Sequence, residues 1–303
     1  MALVLSLLAQ LVHSALVLVA APLLVGFQAY VEARLSGRRG DAPWQEWREL
    51  IRLARKQTTV PDGTSTVSRL TPLVLLSTTA VAAILVPSFA LGMAFASASD
   101  LLVVAGLLGA GRVMLALGAL DAGTARAALD AAHSTSIGCY AEPALFIIIL
   151  SLGLAGGTTN IDLLADAQRS GMLYPPIMSA FAAACFAILA WAAPAGGDFA
   201  AEFSGIDLAL IRYADALRRL VWLNLIIALF LPIGFATAGS GPIEWLVGLI
   251  VWAMKLAVLA SGLAASNVLI GRARMRQMQG WLGVASGLAF LSAVAALAAM
   301  VAA

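Results

Sequence analysis

Charged residues are scarce in this chain. Only 11% of its 303 residues are Asp, Glu, Lys or Arg, whereas 62% are hydrophobic, and the mean hydropathy is +0.96. This leaves too few polar side chains to cover a soluble globule of that size, so a separate soluble domain is excluded. The net charge of +2 is small, and the basic residues do not gather into a nucleic-acid-binding stripe. We therefore expect no nucleic acid partner.

Cysteine and histidine are rarer still, with two residues of each. Cys139 and Cys185 stand far apart in apolar stretches and form no CxxC pair, so the sequence lacks the groupings that hold zinc or an iron-sulfur cluster. We interpret both as buried structural thiols. No metal site and no cofactor are expected in this chain, and any redox centre is expected in a partner subunit.

Long apolar stretches dominate the sequence instead. Because about twenty apolar residues cross a hydrocarbon core roughly 30 Å thick, the sequence predicts an all-α integral membrane protein, a single polytopic domain with about eight transmembrane helices. The predicted spans are 2–30, 70–96, 101–119, 136–155, 174–193, 220–237, 243–266 and 278–301. The first stretch is too long for a cleaved signal and lacks a basic start, so it is predicted to be an anchor.

The distribution of basic residues predicts the orientation. Fifteen of the 18 Lys and Arg residues fall in four connections on one side of an eight-span chain. These connections, 34–69, 126, 212–219 and 272–276, hold eight, one, three and three basic residues, whereas those on the other side hold only Arg169. Since basic residues are retained on the cytoplasmic side, both termini are predicted on the outer side.

Residues 44–57 predict an amphipathic surface helix. Its apolar residues recur at helical spacing: Trp44, Trp47, Leu50, Ile51 and Ala54. The segment is too short and too charged to span, so we expect it along the membrane interface. It would serve either as a stop-transfer anchor or as a platform for a cytoplasmic partner or a channel entrance.

The residues just before this helix predict a tight turn. Gly37 and Gly40 flank Arg38 and Arg39, and glycine permits the backbone conformations that such turns need. The turn would present two cations to an acidic docking surface.

Three ionisable residues stand within predicted spans: Arg112, Glu142 and Lys255. Glu142 is predicted about 10 Å below the inner surface, where a carboxyl group is costly unless it faces a partner or water or stays protonated. Together the three fit a buried path for protons or ions. In the structural alternative, Arg112 extends to the interface and Lys255 pairs with one carboxylate.

Further charged residues lie in the predicted inner connections. In the segment 198–219, i,i+3 and i,i+4 pairs are expected among Glu202, Asp207, Arg212, Asp215 and Arg219. Ordinary surface pairing is the alternative to a functional role. Asp121 and His133 precede Glu142 in another inner connection.

Several short motifs follow one another in a recognisable order. They are Glu32-x-Arg-Leu-x-Gly-Arg38 with Arg55-Lys-Gln57, Arg69-Leu-Thr-Pro72, Gly111-Arg112, Leu120-Asp-Ala-Gly123, Ala141-Glu-Pro-Ala-Leu145, Gly157-Thr-Thr-Asn160, Glu202-Phe-Ser-Gly-Ile-Asp-Leu-Ala-Leu210, Leu229-Phe-Leu-Pro232 and Lys255. Over nearly its whole length, the chain resembles the membrane-anchor subunit of formate hydrogenlyase and other energy-converting NiFe hydrogenases. That family is homologous to the quinone-chamber membrane subunit of respiratory complex I.

The resemblance implies a non-redox subunit of the bacterial or archaeal cytoplasmic (inner) membrane. Such a subunit anchors a peripheral arm and couples the redox reaction of that arm to proton or sodium translocation through antiporter-like subunits. The arm carries iron-sulfur clusters and, where it is a hydrogenase, a NiFe site. The ion-path candidates are Glu142, Glu202 at the cytoplasmic mouth, Arg112, Asp121 and Lys255. The candidates for docking the arm are Glu32, Arg34, Arg38 and Arg39.

Departures from the family pattern indicate a divergent member. In relatives the connection before Glu202 is longer and acidic, whereas here residues 193–198 lead almost directly to Glu202. Relatives also carry an Arg-Glu pair at the position of His133-Ser134 and a glutamate at the position of Asn267. The alternatives are a subunit of a related complex without hydrogenase activity, a self-contained ion transporter, and a scaffold that only anchors an enzyme. The sequence gives no direct sign of catalysis.

Overall fold

The computed structural model describes residues 2–58, 65–171, 175–192, 202–270 and 275–302. Within them lie ten α helices: α1 Ala2–Leu35, α2 Gln45–Ala54, α3 Thr66–Leu85, α4 Leu101–Asp121, α5 Ala125–Gly156, α6 Ile161–Arg169, α7 Pro176–Ala192, α8 Gly205–Phe230, α9 Pro242–Ile270 and α10 Met275–Ala302. A 3-10 turn, Ala96–Ala98, and the strands β1 Ala90–Leu91 and β2 Ala236–Thr237 complete the described elements. The predicted all-α fold is confirmed.

Six of these helices are long and apolar enough to cross a membrane: α1, α3, α4, α5, α9 and α10. The apolar helix α7 is shorter, and α8 carries several charged residues in its first half. The chain is therefore a multi-pass membrane protein. The count of eight spans and the outward position of the termini stay predictions, and the basic residues Arg272 and Arg274 lie outside the described part of the chain.

The helix boundaries differ from the predicted spans at three places. α3 ends at Leu85, before Pro87, whereas the second span was predicted to continue to residue 96. α5 begins at Ala125 rather than near residue 136, because Thr124 caps it by accepting a hydrogen bond from the Ala127 N–H. α8 begins at Gly205, well before residue 220. In the last two cases polar residues that resemble a connection form the first turns of a long helix.

A short strand pair joins two loops at one end of the bundle. β1 and β2 are parallel, with the Ala236 N–H donating to the Phe89 carbonyl at 2.9 Å and the Ala238 N–H to the Leu91 carbonyl at 2.8 Å. The Asp162 carboxylate accepts a further hydrogen bond from the Gly92 N–H at 2.7 Å. The sequence analysis did not predict this pair, because a strand of two residues has no detectable alternation.

α8 is the central helix of the bundle. Its segment 220–229 is wholly buried, and it packs against α1, α2, α3, α6, α7 and α9. The neighbouring pair α3 and α4 approaches closely through small residues: a Cβ atom on Gly118 would lie 2.4 Å from Thr71 Oγ1 and one on Gly111 2.9 Å from Thr78 Oγ1. Such contacts are typical of helix packing inside membranes, where apolar side chains gain nothing by leaving lipid.

The α3–α4 contact can be tested with matched alanine substitutions. Gly118→Ala should destabilise the protein by on the order of 1–3 kcal/mol, because the added methyl group meets Thr71. Gly106→Ala on the same helix is the control, since a Cβ atom there meets no other atom within 4 Å. Thermal unfolding in mild detergent measures both, and equal unfolding temperatures would contradict the close packing.

Candidate functional site

Arg112 and Glu142 form an ion pair inside the bundle. Arg112 Nη1 on α4 donates to Glu142 Oε1 on α5 at 3.3 Å, and the two side chains are 14% and 47% exposed. Gly138, one turn before Glu142, makes room for the guanidinium group, since a Cβ atom there would lie 2.7 Å from Nη1. The structure thus joins two of the three residues predicted at membrane depth, and Arg112 is buried rather than extended to the interface.

A recess adjoins this ion pair between α4, α5, α7 and α8. Its volume is about 20 Å³, enough for about one water molecule, and it is partly open to the surroundings. Its lining consists of Arg112, Ile137, Ala141, Glu142, Leu145, Leu189, Ala192 and Trp222. The half-exposed carboxylate of Glu142 therefore lies at a cavity with room for water, one of the conditions under which a charge at this depth is tolerated.

A second buried ion pair lies beside the first. Arg218 Nη2 and Asp215 Oδ1 on α8 are 3.5 Å apart, with side chains only 7% and 14% exposed. Arg218 is near enough to Arg112 for their charges to interact. From the sequence, Arg218 was counted with an inner connection, and surface pairing was the alternative for Asp215. The structure pairs the two at i,i+3 spacing, with both side chains largely buried in the bundle. The apolar run that begins at Leu220, after Arg219, was the available signal for their burial.

Glu142 lies roughly 25 Å along α5 from Ala125, at about 1.5 Å per residue. Its depth of about 10 Å below the inner surface stays a prediction. Pro143 follows Glu142 directly, so α5 lacks the backbone hydrogen bond that would end on the Cys139 carbonyl. The helix is thus weakened beside its buried carboxylate.

Glu202 and Asp121 both lie near the start of α5, although Asp121 ends α4 and Glu202 precedes α8. Glu202 Oε1 accepts a hydrogen bond from Thr124 Oγ1 at 2.9 Å, at a helix N-terminus, where the macrodipole favours negative charge. Asp121 Oδ2 accepts from the Ser65 and Ser68 N–H groups at 2.8 and 3.2 Å and so caps α3. Glu202 is thus too far from Glu142 for direct proton exchange. Asp130, whose Oδ2 is buried without a hydrogen-bond partner, lies on α5 between them.

Within the described residues Lys255 pairs with no carboxylate, unlike in the structural alternative considered from the sequence. Its Nζ donates to the Leu231 and Ile233 carbonyls and lies 5.3 Å from the centre of the Phe235 ring. These carbonyls follow the C-terminus of α8, where helical partners are lacking and a positive charge is favourable. In the structure Lys255 therefore caps α8 and is hydrogen-bonded to neither Arg112 nor Glu142 within the described residues.

The four docking candidates divide into two groups. Arg34, Arg38 and Arg39 are exposed, and the predicted turn is present, with Gly37 at φ +71° and the Arg38 N–H donating to the Ala33 carbonyl at 2.8 Å. Arg34 donates to the Tyr30 hydroxyl at 3.1 Å. Glu32 is instead part of a hydrogen-bond network within the bundle.

The network around Glu32 joins three helices. Glu32 Oε1 accepts from Asn267 Nδ2 on α9 at 2.7 Å and from Gln28 at 3.3 Å, while Asn267 Oδ1 accepts from Trp191 Nε1 on α7 at 3.0 Å. An amide suits this position, because it donates to the carboxylate and accepts from the indole at the same time. An ionised carboxylate could only accept. The departure from the family pattern at this position thus has a local physical reason.

The described residues contain no group of three His, Cys, Asp or Glu side chains that could hold a metal ion. Cys185 is buried, as interpreted from the sequence, but Cys139 is exposed, so its assignment as a buried thiol was wrong. Its neighbour Gly138 takes the inward position on α5 and faces Arg112.

Comparison with known proteins identifies the family. Residues 7–299 match the family described as NADH dehydrogenase. The chain belongs to this family. It is 32% identical over 288 residues to hydrogenase-4 component C of Escherichia coli (strain K12), covering 90% of this chain and 91% of the relative. It is 28% identical over 308 residues to formate hydrogenlyase subunit 4 of the same organism, covering 97% and 100%.

A solved structure shares the fold. The membrane-bound sulfane sulfur reductase, an archaeal respiratory membrane complex, contains a chain that superposes with a TM-score of 0.83 at 17% identity, covering 95% of this chain and 98% of that one. The resemblance inferred from the ordered motifs, to the membrane subunit of formate hydrogenlyase and its complex I homologue, is thereby confirmed.

The Glu32–Asn267 contact can be tested by an isosteric change in this NADH dehydrogenase family member. Asn267→Asp would set two carboxylates against each other, and we expect a loss of on the order of 2 kcal/mol in unfolding free energy at neutral pH. The loss should shrink as the pH falls through the carboxyl range, since protonation of one partner restores a donor. Thermal unfolding at several pH values measures this effect.

The control for that substitution is the double variant Glu32→Gln with Asn267→Asp. It exchanges the two groups and keeps one donor and one acceptor between them, so most of the lost stability should return. A single Asn267→Asp variant as stable as the parent chain at neutral pH would contradict the contact.

Proposed function

We propose that this chain is the non-redox membrane subunit that anchors a hydrogenase-like peripheral arm and couples it to proton or sodium translocation through antiporter-like subunits. It would act in the cytoplasmic (inner) membrane of a bacterium or archaeon. The family, and relatives named as components of hydrogenase-4 and formate hydrogenlyase, support this assignment. The iron-sulfur clusters, and a NiFe site where the arm is a hydrogenase, would belong to the partner subunits.

The observation that carries the proposal is the charged group formed by Arg112, Glu142, Asp215 and Arg218, in which only Glu142 is half-exposed. Two positive and two negative side chains lie within the bundle, where each charge is expensive to bury. A purely structural group is expected to be fully hydrogen-bonded. Here Arg112 Nε is buried without a partner, and Glu142 remains half-exposed toward the recess. Incomplete pairing leaves the carboxylate able to exchange its partner or its proton.

α5 supplies the connection to the peripheral side. It runs without interruption from the Thr124 cap, which holds Glu202, to Glu142 beside Arg112. Reduction in the arm would change the charge near Glu202 and Asp121 and displace the start of α5. That displacement would alter the contact between Glu142 and Arg112 and pass to the antiporter-like partners. Lys255 would contribute by fixing the end of α8 rather than by carrying a proton.

The exposed cations Arg34, Arg38 and Arg39 are proposed to dock the arm. They surround the C-terminus of α1 and carry no carboxylate partner among the described residues. An acidic surface on the arm would complement them. Glu32 would support this site indirectly by holding α1 against α9.

A related complex without hydrogenase activity is the second candidate. Asn267, which stands where the family pattern has a glutamate, favours it, and the shortened connection 193–198 lies outside the described residues. The fold allows both functions, since it also occurs in a complex named as a sulfane sulfur reductase. Isolation of the tagged chain with its partners from native membranes decides between them, because nickel and iron together indicate a hydrogenase and iron without nickel indicates the alternative.

The coupling proposal predicts the effect of Glu142→Gln. The substitution keeps the size of the side chain and its acceptor toward Arg112 but removes the exchangeable charge. We expect the assembled complex to transfer electrons while ion transport per electron falls at least tenfold. Proton or sodium uptake by inverted vesicles, measured together with redox turnover, gives this ratio.

The matched control is Glu244→Gln, an exposed glutamate at the start of α9, which should leave the ratio unchanged. Native gels verify that each variant assembles. Unchanged ion transport in the Glu142→Gln complex would overturn the role of the buried group. If redox turnover and transport instead fell together in an assembled complex, Glu142 would not be specific for coupling.

A further inference from the structure

The outward face of α2 carries an unusual combination of side chains. Trp44, Arg48, Ile51 and Arg55 recur at helical spacing and form one stripe, which we call the α2 stripe. Trp44 and Ile51 are 54% and 49% exposed, and both arginines are exposed. The opposite face is used for packing, since Leu50 and Leu53 are buried against Ala209 of α8. The stripe is therefore available to a partner outside the chain.

α2 lies beside the middle of α1 rather than beyond its end. The Trp47 indole N–H donates to the Val19 carbonyl at 3.3 Å, and the Pro43 backbone packs so tightly on Gly26 that a Cβ atom would lie 1.9 Å from the Pro43 oxygen. α1 continues from Gly26 to Leu35, roughly 13 Å farther. α2 is thus level with the apolar middle of α1, well before the charged C-terminal end of that helix.

A proline in α1 helps to fix this level. Pro22 has no N–H, so the Leu18 carbonyl lacks its helical donor, and the Tyr213 hydroxyl of α8 donates to it at 2.9 Å. The ring of Tyr213 lies 6.2 Å from that of Trp47. α1, α2 and α8 are therefore held in one register, and α2 has little freedom to move toward the cytosol.

Two of the cations on α2 remain without a carboxylate. Arg52 donates to Glu49 at 2.8 Å, which lowers the pKa of Glu49 and keeps it ionised at neutral pH, and Arg212 lies 3.7 Å from the same carboxylate. Arg48 and Arg55 form no ion pair within the described residues. Guanidinium groups bind phosphate oxygens in pairs, and tryptophan is favoured at the membrane interface.

We propose that the α2 stripe binds the phosphate of an anionic phospholipid in the leaflet beside α2. Arg48 and Arg55 would hold the phosphate, while Trp44 and Ile51 would contact the glycerol and the upper acyl chain. An acidic protein surface suits the stripe less well, because it would leave Trp44 and Ile51 without apolar contact. The cations at the end of α1, Arg38 and Arg39, are better placed for such a partner. The lipid site is independent of the coupling function proposed above.

The test compares lipid retention by the full chain, assembled with its native partners. The complex is equilibrated with vesicles of equal parts phosphatidylglycerol and phosphatidylcholine, re-extracted in mild detergent, and the retained lipids are measured by mass spectrometry. The parent should be enriched in phosphatidylglycerol, and excess inorganic phosphate should not displace it. Arg48→Gln with Arg55→Gln should weaken this binding about 25-fold, at about fivefold for each cation near the surface.

Two further variants keep the test decisive. Arg69→Gln with Arg126→Gln removes the same charge from exposed positions outside the stripe and should retain the lipid, whereas Arg48→Lys with Arg55→Lys should retain it in part. Equal retention of both lipids by the parent, or unchanged enrichment in the Arg48→Gln, Arg55→Gln variant, would overturn the proposal. The proposal would also be overturned if the Arg48→Gln, Arg55→Gln variant kept its lipid but lost a protein subunit, because the stripe would then be a protein interface. Unfolding temperatures verify that the variants are folded.

Discussion

Every polar group at membrane depth must find its partner inside the chain, because the hydrocarbon region offers none. This constraint explains contacts that otherwise have nothing in common. The Leu18 carbonyl, released by Pro22, is bound by Tyr213, and the carbonyls after α8 are bound by Lys255. The first contact joins α1 to α8, which are distant in sequence, and the second joins α9 to the segment that follows α8. The same interactions that satisfy the backbone therefore also set the register of the bundle.

The buried charges depend on the same constraint but meet it less completely. Arg112 pairs with Glu142 across Gly138, and Arg218 pairs with Asp215, so the group as a whole is close to neutral. Near-neutrality reduces the free energy of burying four charges, whereas the recess beside Glu142 leaves one of them accessible. That combination distinguishes this part of the bundle from the Lys255 cap, which is closed by backbone carbonyls.

The sequence predicted the helical membrane fold and the family well, because both predictions combine evidence from many residues. Long apolar stretches indicate membrane helices, and ordered motifs indicated the family. Contacts between helices were less accessible, because hydropathy does not report which face of a helix turns inward. Arg218 and Asp215 resembled surface residues, since the polar first turns of α8 look like a connection. Lys255 was predicted to lie at depth, but no local pattern in the sequence reveals that its partners are carbonyls at the end of another helix.

Pro143 gives α5 a mechanical asymmetry. A helix that lacks one backbone hydrogen bond bends there at lower cost than elsewhere, so α5 is stiff from Thr124 to about Cys139 and compliant just beyond. Gly138, which touches Arg112, belongs to the stiff segment, while Glu142 adjoins the compliant one. A small tilt at the peripheral end would therefore be concentrated at a single turn. The bend in α5 would then lie beside the half-exposed carboxylate of Glu142.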